Sequence, residues 1–125
     1  MNIIAKAALA ASLGVVVAGA ASAQDPVKVD PRHYKVVFEN AQVRVLRIHY
    51  GPHETSVMHA HPDGVVTYLS DGHMRFLLPG GKTIDSSGKA GMSIWAPAGP
   101  HKPTNVGNTP MDAVLVELKG PHPKK

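Results

Sequence analysis

Apolar and polar residues alternate in short runs along most of this chain, and the runs are cut by glycine, proline and aspartate. Lys35 to Glu39 is the first run. Gln42 to Tyr50 is the second, with Val43 and Val45 on one side and Arg44, Leu46 and Ile48 on the other, which is the two-residue period of a strand. Thr55 to His61, Val65 to Leu69, His73 to Leu78, Lys82 to Asp85, Gly91 to Ala96, His101 to Val106 and Met111 to Leu118 follow. Between them stand Gly51-Pro52, Pro62-Asp63-Gly64, Asp71-Gly72, Pro79-Gly80-Gly81, Ser86-Ser87-Gly88, Pro97 to Pro100 and Gly107 to Pro110, all residue types that turn a chain. No apolar stripe of helical period lasts three turns after Ala23. Eight or nine short strands with turn signals at this spacing predict an all-β sandwich or barrel.

The two ends depart from the pattern. Met1 to Ala23 has one early lysine, Lys6, then an apolar centre through Leu9, Leu13 and Val15-Val16-Val17, and closes on Ala21-Ser22-Ala23. That order is the signature of a secretory signal peptide cut after Ala23, giving a periplasmic or secreted product with no stable membrane span after processing. The alternative is an uncleaved anchor, since the apolar stretch approaches the roughly 17 to 20 residues that span a bilayer. Residues 24–34 hold two prolines and few apolar side chains, and are expected to be an extended, mobile lead-in. Residues 35–119 form the folded unit, and 120–125 a basic tail.

Composition narrows the function classes. Gln24 to Lys125 is 102 residues, enough for one core, with 12 basic against 9 acidic side chains. The excess is mild and unclustered, and only six aromatic residues are present, so nucleic acid is not an expected partner. Cysteine is absent, so an exported product has no disulfide to lean on and must rely on packing, a bound metal or a second subunit. There is no nucleophilic serine arrangement, no phosphate-cradling glycine loop and no repeat; a catalytic residue is not identifiable.

The candidate chemistry lies in His59-Ala60-His61. Two imidazoles one residue apart on a strand share a face, which is an arrangement that ligates metal. The competing reading is a pocket without metal in which the two rings hydrogen-bond each other or water. His49 and His73 read as ordinary strand residues, His33 and His122 as surface ones. Trp95, Met58, Met74, Met92 and Phe76 read mainly as core, with Met92, Trp95 and Val65 the candidates for a pocket wall. Glu54 and Asp63, in turns beside the pair, read as solvated.

The run His59-x-His61, three residues, Val65, six residues, Gly72 resembles the first motif of the cupin superfamily. Gly91, five residues, Pro97-x-Gly99, His101, three residues, Asn105 resembles the second. The resemblance implies a small jelly-roll, or double-stranded β-helix, barrel in which His59, His61 and His101 hold a divalent iron, manganese, nickel, copper or zinc ion. It also implies open coordination positions for a small-molecule ligand or substrate, dioxygenase-like oxidation as the leading reaction if there is one, and compatibility with a homodimer. Three departures matter. The family's glutamate ligand falls on Val65, the glycine six residues before the histidine pair is His53, and the second motif is one residue short. His53 becomes the candidate fourth ligand. Asn105 is a candidate for orienting a histidine, although bonding turn backbone is the alternative. The missing carboxylate equally suits a cupin module that binds or senses without turnover.

Overall fold

A computed structural model describes residues 24–120; residues 1–23, the expected signal peptide, and residues 121–125 of the expected tail lie outside the described residues. Nine strands appear among them: β1 (Tyr34–Glu39), β2 (Val43–Tyr50), β3 (His59–His61), β4 (Gly64–Tyr68), β5 (Gly72–Leu77), β6 (Thr83–Gly88), β7 (Ser93–Ala96), β8 (Gly99–Asn105) and β9 (Met111–Leu118). They form a five-stranded sheet in the order β1-β2-β9-β4-β7 and a four-stranded sheet in the order β3-β8-β5-β6, with antiparallel pairing throughout. Strands distant in sequence are thus neighbours in space, as in a jelly roll.

The alternation that marks the strands also decides which side chains face inward. On β2, Leu46, Ile48 and Tyr50 are buried. Their register partners on β9, Leu115, Ala113 and Met111, are buried as well. Gly64, Val66 and Tyr68 of β4 pair with Glu117, Leu115 and Ala113, which puts them on the same inner face. Tyr68 reaches across the core, and a Cβ on Gly88 would meet its ring at 2.5 Å, so only glycine fits there. Tyr34, Met74 and Ile48 complete the apolar centre.

The lead-in differs from its expectation. Pro26–Val29 is one helical turn, α1, with Pro26 at its start and Asp25 as N-cap, the Asp25 carboxylate accepting from the Val27 amide at 3.0 Å. Arg44 grips Asp25 with two hydrogen bonds of 2.7 and 2.8 Å, and the Gln24 carbonyl accepts from the Ala60 amide at 3.0 Å. A segment poor in apolar residues is therefore docked by charge and backbone bonds that leave no hydrophobic period to read. The third run is also shorter than expected. Thr55 makes an isolated bridge to Thr104, and the strand begins only at His59. Among the described residues no helix is long and apolar enough to cross a membrane.

Candidate functional site

β3 and β8 lie side by side with His59 opposite His101 and His61 opposite Gly99. Directly opposed residues on antiparallel strands share a face, so a three-residue strand and one partner gather all three histidines on one wall. The ring centroids of His59 and His101 are 5.0 Å apart, and those of His61 and His101 4.8 Å. Phe76 of β5 tilts onto His101 at 5.0 Å, and Tyr34 meets His59 edge-on at 4.9 Å.

Each ring of the β3 pair is held by its Nδ1. That of His59 bonds the Val57 carbonyl at 2.9 Å, and that of His61 the Pro62 carbonyl at 2.8 Å. A carbonyl only accepts, so both rings carry their proton on Nδ1 and leave a lone pair on Nε2. The Nε2 of His59 is buried with no partner, the only such side-chain nitrogen or oxygen among the described residues. Buried polar atoms are nearly always paired, so an orphan lone pair here needs a reason. Burial, and then the neighbouring His61 and His59 rings, push His101 down to about 3, so it too is neutral with a lone pair at pH 7. Burial likewise depresses His59, against the Val57 bond. Three imidazoles on one wall are a donor set that, in the neutral form, suits divalent transition metals. The rings are not drawn into a finished cage: among the described residues no three His, Cys, Asp or Glu side chains stand in metal-holding geometry.

A cavity of about 600 Å³ opens beside this wall, and His61 and His101 belong to its lining. The expected pocket residues are placed differently from one another. Trp95 borders the cavity from β7, but it is the register partner of Val65, shares its outward face and remains 54% exposed. Val65 does not line it: it pairs with Val116 and Trp95 in the register that turns its side chain away, and Val66 faces the cavity with Ile94 and Leu115. The spacing rule that selects Val65 is off by one residue, and on a strand one residue reverses the face. Met92 packs against the core and is absent from the lining. His53 has a left-handed backbone, φ 61°, and its Nε2 bonds the exposed Asn108 at 2.9 Å, directed away from the three histidines. Asn105 touches no histidine. Its amide donates to the Gly51 and Thr109 carbonyls at 3.1 and 2.9 Å and its oxygen accepts from the Gly107 amide, so it ties turns together.

Sequence reasoning missed a buried polar line behind His59. The Ser56 hydroxyl lies 3.3 Å from His59 Nδ1 and donates to the carboxylate of Asp30 in a very short contact. Asp30 also takes a 2.7 Å bond from His33 Nδ1, and the other nitrogen of His33 faces Glu54 at 3.3 Å. His33, expected at the surface, is 5% exposed and stacks on Tyr50 at 4.2 Å. The Tyr34 and Tyr50 hydroxyls bond each other at 2.6 Å. Burial works against the Asp30 charge, but the bonds from Ser56 and His33 outweigh it and hold the carboxyl below its ordinary value. Glu54 is likewise engaged, by the Gly51 amide, Arg32 and His33. The one signal available was serine three residues before the histidine pair, too common a pattern to select.

No family model matches the chain and no curated protein matches it. Solved structures do. A cupin domain from Bordetella pertussis is 27% identical, superposes with a TM-score of 0.64, and is matched over 70% of this chain and 92% of that one. A Klebsiella pneumoniae protein described as having a double-stranded β-helix domain is 28% identical at a TM-score of 0.55, over 70% and 76% of the two chains. The polyketide cyclase RemF of Streptomyces resistomycificus, 17% identical at a TM-score of 0.52 over 68% and 63%, shares the fold alone. The two-sheet topology and these neighbours agree: this chain has the double-stranded β-helix fold of cupin-domain proteins.

Proposed function

We propose that the chain is an exported small cupin in which His59, His61 and His101 hold one divalent transition metal ion, with a small organic ligand taken up in the adjoining cavity. The observation that carries the reading is the buried, partnerless Nε2 of His59. Backbone carbonyls fix the proton on Nδ1 of both β3 histidines, so the free lone pairs are a consequence of local structure and cost no rearrangement of tautomer. Turning the three rings about their side-chain bonds is the adjustment that ligation requires. A metal held by neutral imidazoles retains its full charge and vacant positions, and so supplies Lewis acidity or, with a redox-active ion, dioxygen chemistry. Val65, on which the family's carboxylate falls, is turned away, and its neighbour Val66 offers the cavity an apolar wall. Phe76 backs the His101 ring, and Met74, Leu115 and Ile94 exclude water from the space beside it. Oxidation of the dioxygenase-like class is the reaction best suited to this surrounding.

A second reading, binding without turnover, is favoured by one feature: no aspartate or glutamate lines the cavity to act as a general base. Oxygen uptake by iron-loaded protein against phenolics, thiols and diketones separates the two. The first test is metal analysis of protein purified without a polyhistidine tag. About one equivalent of metal in the wild type, lost in the His59→Ala and His61→Ala variants, is the expected result. No metal, or metal undiminished by these changes, contradicts the proposal.

A further inference from the structure

We propose that the cavity takes an uncharged ring compound, roughly two or three rings in size, carrying an oxygen donor turned toward the histidine wall. This deepens the preceding reading and depends on it only for the role of the donor. A volume of about 600 Å³ sits within the roughly 300–1,000 Å³ of sites that enclose a drug-sized molecule. No lysine, arginine, aspartate or glutamate lines it. Away from the histidine wall, the charged groups of a phosphate, a sugar acid or a dicarboxylate would therefore meet no charged partner, and an unpaired charge is costly to take out of water.

The hydroxyls in the lining are already paired with one another. Tyr34 and Tyr50 bond each other at 2.6 Å, and Tyr68 bonds Ser86 at 3.3 Å. Apart from the Trp95 indole N–H on the outward face of β7, that leaves His61 and His101 as the polar side chains open to a ligand, both on the β3–β8 side, so one oxygen or nitrogen of the occupant is recognised and the rest is not. The remaining wall is aromatic and aliphatic: Phe76, Tyr34 and Tyr68 supply ring faces and edges, with Val66 and Ile94 between them. Flat rings gain from such neighbours beyond the area they bury. Polyhydroxylated sugars gain nothing there and leave their hydroxyls unpaired.

Trp95 is the only tryptophan in the chain and borders the cavity from β7, so its indole N–H gives a single reporter signal at the cavity's edge. The experiment titrates metal-stripped protein with β-naphthol and with β-naphthoate, which carry the same rings with a neutral and a charged substituent, following the Trp95 signal by nitrogen-15 NMR and the heat by calorimetry. Saturable β-naphthol binding that shifts Trp95, about tenfold or more tighter than β-naphthoate, is expected. Ile84→Lys, at a lining position that is 46% exposed and so tolerant of a charge, is expected to narrow or reverse that preference. No saturable β-naphthol binding, or β-naphthoate binding as tightly in the wild type, overturns the proposal. Zinc added afterwards is expected to tighten β-naphthol; zinc that binds without doing so overturns the donor's placement. Zinc that does not bind at all overturns the three-histidine reading and leaves the neutral-ring result standing.

Discussion

His59 shows how much of a site is settled by one side chain's surroundings. Its Nδ1 proton has two acceptors, the Val57 carbonyl at 2.9 Å and the Ser56 oxygen at 3.3 Å. Because the Asp30 carboxylate only accepts, Ser56 gives its single proton to Asp30 and turns its oxygen toward the ring. The direction of the line is thus fixed from Asp30 outward, and a buried negative charge stands behind the imidazole as it does behind many metal-bound histidines. Ser56→Ala removes the link while leaving the Asp30 to His33 pair intact. We expect zinc affinity, measured by competition with a chelating dye, to fall about tenfold, with some loss of unfolding temperature because Asp30 loses a buried donor; an unaltered affinity contradicts the role. At this scale legibility was mixed. The x-separated histidines announce themselves, because strand periodicity alone places them together. Val66 did not, since a spacing rule cannot see which of two adjacent valines the pleat turns inward. His33 did not either: nothing in a polar, proline-bearing stretch signals burial under a tyrosine.

At the scale of elements, α1 behaves as a latch. A single helical turn has little stability alone, and this one is held by Arg44, which bridges Asp25 and the buried Glu117 of β9. The Arg44 bond holds Asp25 below the usual carboxylate range, though burial opposes it. An acid depressed in the folded state contributes stability that is complete above its unfolded value, near pH ~3.9, and is lost as pH falls through the lower folded value. The unfolding temperature of the wild type should therefore drop on the acid side, below about pH 4, more steeply than that of Asp25→Asn. The variant should be the less stable at pH 7, with the two curves converging in acid. Curves that stay parallel from pH 7 into acid would show that the latch carries no such charge. The strands themselves were legible because each is bounded by turn residues and alternates cleanly; β9 reads inward and outward without a break over Met111–Leu118. The latch was not, because ion pairs between residues 19 and 73 positions apart leave no local pattern.

Across the whole molecule, two sheets pack to enclose a space whose one polar wall comes from β3 and β8, and whose other surfaces come from the same inward residues that make the core. The strand order that brings β3 beside β8 is what gathers His59, His61 and His101, 42 positions apart at the extremes, to ring-centroid distances of 4.8 and 5.0 Å. The fold and the three histidines follow from patterns visible along the chain. The cavity's neutrality does not, since it depends on which charged residues the register turns outward. The most direct test of this account is a crystal structure of metal-loaded, untagged protein with anomalous scattering collected at the metal's absorption edge. One peak within about 2.0–2.2 Å of a ring nitrogen from each of His59, His61 and His101 is predicted. No peak, or a peak held by other side chains while these rings stay apart, would contradict it.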